Sequence, residues 1–204
     1  MNKKYIANAA KPIGELGRKR VAEMNEHHAP LIDWAFSFLP SIKEGKCLDL
    51  GCGGGATIAY LLQSLDASFC LGVDYSKVAV EETKKKNQDA ILDGKCQIIK
   101  GDVSSLPCDN ESFDLISAVE TLYFWSDPLQ ALKEARRVLK KDGNIIVVNE
   151  DDGKDEEKAE RLKVIMPMMR FYNGEQLASL LRQAGFSNIE VHSKSPWVAA
   201  IARK

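Results

Sequence analysis

The segment Leu48-Asp49-Leu50-Gly51-Cys52-Gly53-Gly54-Gly55 sets an acidic residue and a short apolar run directly before a cluster of glycines. Glycine lacks Cβ and tolerates positive φ, so a ligand can lie against such a backbone where a side chain would exclude it. Three more carboxylates, Asp74, Asp102 and Glu120, follow later apolar runs. Gly51, Gly53 and Ala56 also fit the G-x-G-x-x-A spacing of a dinucleotide loop, with Asp74 placed to accept from a ribose diol.

Charge separates the two ligands. A pyrophosphate wants backbone N–H groups and a helix N-terminus, with no anion nearby. Asp49, Asp74, Asp102 and Glu120 supply four carboxylates instead, which favours a cation. S-adenosyl-L-methionine carries a sulfonium, an ammonium and a ribose diol, and it suits this edge better than NAD. An NAD(P)-binding oxidoreductase is the rival reading.

The remaining candidates are sparse. Of three histidines, His28 in Met24-Asn25-Glu26-His27-His28-Ala29-Pro30-Leu31 is the candidate general base for a protonated acceptor, although an adjacent pair between two helices also reads as a capped junction. No further ligands accompany the pair, so a metal is not expected. Tyr123 and Trp125, with Phe124 between them, follow Glu120, and Met169 lies in the apolar run 164–172; together they predict an apolar, partly aromatic acceptor pocket.

The elements that must position these groups follow from periodicity. Short apolar runs near Cys47–Leu50, Ser68–Val73, Gln97–Lys100, Phe113–Val119 and Asn144–Asn149 alternate with helical patterns, the rhythm of a parallel α/β sheet. Asp127-Pro128 predicts a helix start, with Arg136, Arg137, Lys140 and Lys141 in its last turn and Gly143 after it. Pro12 is expected to open a first helix, and Leu31, Trp34, Ala35, Phe38 and Leu39 mark a second that stops at Pro40. Residues 151–172 predict a lid, Asn173 and Gln176 a capping pair, and two strands near Ser187–Ser193 and Pro196–Ala202 close the chain.

With 204 residues, the chain suits one domain: an N-terminal helical cap over 1–40, a cofactor-binding half over 41–150, and a lid segment with C-terminal strands over 151–204. A hydrophobic fraction of 45%, a charged fraction of 28% and a net charge of -1 give no basic footprint for nucleic acid or an anionic membrane. No transmembrane-length run appears, and five scattered cysteines without a C-x-x-C pair read as reduced, buried thiols, so a cytoplasmic protein is expected. Its partner is expected to be a small-molecule acceptor.

The motifs in order resemble those of class I S-adenosylmethionine-dependent methyltransferases. Asp49 to Gly55 is similar to that family's D/E-x-G-x-G-x-G loop, and Gly72-Val73-Asp74-Tyr75-Ser76 to its G-x-D-x-S. Gly101-Asp102-Val103 with Leu106-Pro107 and Ser112-Phe113-Asp114 resembles its third and fourth strand region. Arg137-Val138-Leu139-Lys140 before Asp142-Gly143 resembles R-V-L-K-P-G-G, departing at Lys141 and Asn144.

The resemblance implies a Rossmann-like αβα sandwich whose seven-stranded, mostly parallel sheet has an antiparallel last strand. It implies methyl transfer with S-adenosyl-L-homocysteine as product. It also assigns Gly51, Cys52 and Gly53 to the methionine portion, Asp49 to its ammonium, Asp74 to the ribose, and Tyr75, Asp102 and Val103 to the adenine, with Glu120 where cofactor and acceptor meet. A catalytically silent S-adenosylmethionine-binding module would keep the same residues.

Overall fold

The computed structural model describes residues 3–204. Three helices come first: α1 (Lys3–Ala7), α2 (Gly14–His27) and α3 (Ala29–Phe36). Alternation follows, with β1 (Lys46–Leu50), α4 (Ala56–Gln63), β2 (Phe69–Asp74), α5 (Lys77–Lys86), α6 (Gln88–Leu92), β3 (Cys96–Lys100) and β4 (Phe113–Val119). A 3-10 turn at Leu122–Phe124 leads to α7 (Pro128–Val138), β5 (Leu139–Asn149), α8 (Glu156–Ile165), α9 (Gly174–Gln183), β6 (Ser187–Lys194) and β7 (Trp197–Arg203).

The seven strands form one sheet in the order β3-β2-β1-β4-β5-β7-β6. β7 runs antiparallel to both neighbours, and the pairs from β3 to β5 are parallel. Strand order reverses between β1 and β4, so the connections leaving their carboxyl ends run to opposite sides and leave a crevice, the ligand-binding position of open α/β sheets.

Period-2 alternation divides the sheet's side chains between two cores. Leu48, Leu50, Leu71, Val73, Ile116 and Val147 pack with Leu132 of α7 and Leu177 of α9. Cys47, Cys70, Leu115, Ile146 and Val148 pack on the other face with Leu31 of α3 and Ile58 and Leu61 of α4. The cysteines are free, four of them buried, and Cys47, Cys70 and Cys96 stand in register across three strands as small apolar residues.

Three boundaries differ from the sequence expectation. α7 ends at Val138, and Lys140 and Lys141 belong to β5, because Leu139 turns extended (ψ 136°) and pairs with Phe113. Lys140 then serves Asp114, bonding both carboxylate oxygens at 2.8 and 2.9 Å. Pro12 precedes α2 by two residues, with Ile13 extended at the N-cap, and α3 stops at Phe36, leaving Phe38 and Leu39 in a turn. The capping box at α9 forms as expected, Asn173 Oδ1 accepting from Gln176 N and Gln176 Oε1 from Asn173 N. Arg137 explains its motif: it donates to the carbonyls of Leu106 and Cys108 and pairs with Glu134, tying the loop before β4 to α7. Among the described residues, no helix is long and apolar enough to cross a membrane.

Candidate active site

The glycine loop between β1 and α4 is stitched to β2 and α5. Gly51 and Cys52 N–H groups both donate to the Val73 carbonyl, at 2.8 and 3.1 Å, and Gly53 N–H donates to Asp74 Oδ2 at 3.0 Å. Thr83 Oγ1 donates to the Gly53 carbonyl and Asn87 Nδ2 to that of Gly55. The glycines serve different purposes. A Cβ at Gly51 would stand 2.0 Å from Thr121 Oγ1, and one at Gly54 2.5 Å from Asn25 Oδ1, so these two admit protein neighbours. At Gly53, φ is +53° and a Cβ would meet nothing nearer than the Gly51 carbonyl at 3.9 Å. The close approach a ligand needs is therefore available at Gly53.

Asp74, 6% exposed at the end of β2, accepts once at each oxygen, from Gly53 N–H and, at 2.8 Å, from Ser76 N–H. Burial raises its pKa, against the pull of these backbone donors. The Tyr75 N–H adds a third backbone donor, and since a carboxylate has about four acceptor positions, one remains for a ligand. The next residues hold the N-terminal segment over this edge. Tyr75 hydroxyl donates to the Ala10 carbonyl, Ser76 Oγ to the Pro12 carbonyl at 2.7 Å, and Lys11 Nζ lies 5.3 Å from the Tyr75 ring centre. Asp102, exposed after β3, accepts from Ser104 N–H at 2.8 Å in a local turn beside Val103.

The far end of the crevice collects acids and imidazoles. Glu120 follows β4 at φ +56°, a conformation uncommon for a residue with a side chain and one that recurs at functional sites. Its Oε1 accepts from Tyr123 hydroxyl at 3.0 Å and from Glu150 N–H. Its Oε2 lies 3.8 Å from His28 Nε2, which is also 3.7 Å from Glu150 Oε2. Burial pushes the Glu120 pKa up to about 8, with the Glu150 and Asp151 charges adding to it against hydrogen bonds from Glu150 N–H and Tyr123. Burial lowers the His28 pKa to about 4, against the attraction of Glu150. Near neutral pH this places a neutral imidazole beside a protonated carboxyl.

A cavity of about 260 Å³ runs along this whole edge. Gly51, Cys52, Gly53, Asp74, Tyr75, Asp102 and Val103 line one part, and His28, Glu120 and Trp125 another. The crevice thus brings together ten of the residues singled out from sequence. Three lie off its wall. Asp49 is 2% exposed and accepts from Ser117 Oγ at 2.6 Å. Tyr123 and Met169 pack in a buried cluster with Met166 and Phe171, because the 3-10 turn points Tyr123 behind Glu120. Sequence reading missed Asn25, Thr121 and the lining at Ala9, Ala10 and Pro12, although Asn25 sits within the quoted Met24 to Leu31 segment. It also missed Glu150, whose only local signal is its place one residue past a strand.

Residues 48–147 match the model of a methyltransferase domain. Demethylmenaquinone methyltransferase of Staphylococcus saprophyticus is 29% identical over 186 residues, covering 79% of this chain and 78% of that protein. The structure of a SAM-dependent methyltransferase of Thermotoga maritima, described as a possible histamine N-methyltransferase, superposes with a TM-score of 0.68 at 27% identity, covering 91% of this chain and 97% of that one. Residues 48–147 are thus a methyltransferase domain, and the chain has the class I methyltransferase fold. A SAM-dependent methyltransferase of Aquifex aeolicus, at 16% identity, shares the methyltransferase fold with a TM-score of 0.72 over 91% of this chain and 97% of its own. Against several other curated methyltransferase-family relatives and a transposon protein, the chain spans only 30% to 54% of their length.

The methyltransferase family implies S-adenosylmethionine, and the residues present fit it. Gly53 offers backbone without a side chain, and Asp74, at the cavity wall, presents a carboxylate to a diol.

Proposed function

We propose that the protein transfers a methyl group from S-adenosylmethionine to a small-molecule acceptor. One observation carries this reading: a single cavity joins the glycine loop and Asp74 to His28, Glu120 and Trp125, so donor and acceptor ends share one space.

In this reading Gly51, Cys52 and Gly53 hold the methionine portion through their backbone, and Asp74 accepts from the ribose hydroxyls. Tyr75, Asp102 and Val103 border the adenine. Asp49 acts from beneath, through charge and loop shape, since it lies off the cavity wall. When bound, the cofactor supplies a methyl already activated on a sulfonium. The chain's own task is alignment and exclusion of water, and alignment alone can supply roughly 7–11 kcal/mol. At the acceptor end Trp125, fixed by its Nε1 donating to Thr121 Oγ1 at 3.2 Å, and Phe124 provide apolar walls. His28, held neutral, can take a proton from an acceptor through Nε2. We read the chain as one cytoplasmic domain, with the described residues up to 40 capping the cofactor half.

Calorimetry with S-adenosylhomocysteine and with NAD tests the cofactor, and metabolite pools screened for S-adenosylhomocysteine release test turnover. Binding of S-adenosylhomocysteine and not NAD, with release on some pool, is the expected outcome. NAD binding alone overturns the reading; cofactor binding with no release from any pool marks a silent binding module. His28→Ala is expected to slow turnover more than it weakens cofactor binding, and equal effects assign His28 to structure.

A further inference from the structure

Adjacent residues on a helix point in different directions, so a His-His pair does not ordinarily converge on one partner. Here the pair straddles the junction of α2 and α3. His27 ends the first helix, and His28 is at once its C-cap and the N-cap of the second. Their rings stand 5.4 Å apart at 61°, and both turn toward Glu150, the residue after β5. His27 Nε2 is 2.5 Å from Glu150 Oε1, and His28 Nε2 is 3.7 Å from Glu150 Oε2. One nitrogen from each imidazole and a carboxylate oxygen lie within 4.8 Å of one another.

We propose that His27, His28 and Glu150 bind a divalent transition-metal ion at the acceptor end of the cavity. Two imidazoles and one carboxylate form a donor set for zinc, cobalt, nickel or iron, whereas magnesium and calcium prefer all-oxygen shells. Ligand bonds of about 2.0–2.2 Å require the three atoms to stand about 3–3.5 Å apart. A small rotation of exposed His27, 64% accessible, opens its close contact with Glu150 to that spacing.

Three protein ligands leave coordination positions open, and of the three His28 lines the cavity, beside Glu120. Glu120 Oε2, 3.8 Å from His28 Nε2, is a fourth polar group at this point and can hydrogen-bond a metal-bound water. The acceptor class follows: a small molecule whose nucleophilic oxygen or sulfur can ligate the ion, held with that atom turned toward the donor end. The acceptor class rests on the methyl-transfer reading, whereas the metal site does not, and with the ion bound His28 serves as a ligand in place of a base.

Untagged protein, stripped with chelator and dialysed against zinc or cobalt, tests the site. About one ion per chain by elemental analysis and visible d–d absorption from cobalt are expected. Glu150→Gln and His27→Ala should each weaken binding by more than the roughly 10–100-fold typical of losing an outer-shell partner. His192→Ala, on β6, should leave it unchanged. Calorimetry of the variants with S-adenosylhomocysteine is the parallel arm: retained cofactor affinity with lost metal supports the site. No ion retained at micromolar metal overturns the proposal, and so does undiminished binding in both ligand variants, whatever the cofactor arm shows.

Discussion

Ser117, on β4, donates its hydroxyl to Oδ1 of Asp49, its register partner on β1, at 2.6 Å, and neither side chain is more than 2% exposed. Burial raises the Asp49 pKa from 3.8 to about 7, the Ser117 bond lowers it, and the charge of Asp74 raises it further. Between those two values the folded chain holds a proton that the unfolded chain has released. Folding is therefore favoured at the acid end of that window, and the contribution is lost as pH rises through about 7. Asp49→Asn removes this dependence while keeping an acceptor for Ser117. Its stability advantage over wild type should grow from pH 4 to pH 8, reaching on the order of 2–4 kcal/mol. Urea denaturation without cofactor at several pH values measures it; a constant difference would assign the buried carboxyl an ordinary pKa. Glu120 and His28 titrate in both proteins and cancel in the comparison, whereas Asp74 is coupled to Asp49 through its charge and contributes to the difference.

Asp74→Asn tests the ribose assignment. Each carboxylate oxygen accepts one backbone N–H, and the amide can keep only one of these while presenting a donor at the other position. Loss of a charged acceptor is worth about 1.5–3 kcal/mol. Affinity for S-adenosylhomocysteine should fall roughly 10–100-fold by calorimetry, with circular dichroism unchanged. Unaltered affinity would sink the assignment.

Gly51→Ala and Gly53→Ala separate packing from ligand access. Both have positive φ, costing about 1–2 kcal/mol with a side chain. Only at Gly51 does the added Cβ run into protein, 2.0 Å from Thr121 Oγ1, adding roughly 1–3 kcal/mol of overpacking. Thermal denaturation should rank Gly51→Ala well below Gly53→Ala, and Gly53→Ala should lose cofactor affinity out of proportion to its stability. Equal melting temperatures would contradict the geometry at Thr121.

Tyr75→Phe removes the hydroxyl that holds the Ala10 carbonyl. One hydrogen bond is worth about 0.5–1.5 kcal/mol net, so local opening of the segment before α2 should become about two- to tenfold more frequent. Hydrogen exchange at the amides of Ala9 and Ala10, which bond to Ile6 and Ala7 carbonyls, reads this directly. Unchanged exchange would mean that Ser76 Oγ and Pro12 suffice to hold the segment.

What the sequence determined by itself is local. The glycine loop, the acids at or near the ends of β1 to β4, the capping box at α9 and the alternating elements are legible because each depends on neighbours within a turn or a strand. The last turn of α7 differs from its local pattern for the same reason: basic residues there suit a helix end, but Phe113, far off in sequence, draws Leu139 into β5. Tertiary structure decided the rest. Sheet order brings Glu150 to His27 across 123 residues, turns Asp49 toward Ser117, and leaves Tyr123 and Met169 behind the cavity wall. Such meetings depend on which strands lie side by side and where burial forces a side chain to turn, and no local pattern carries that information.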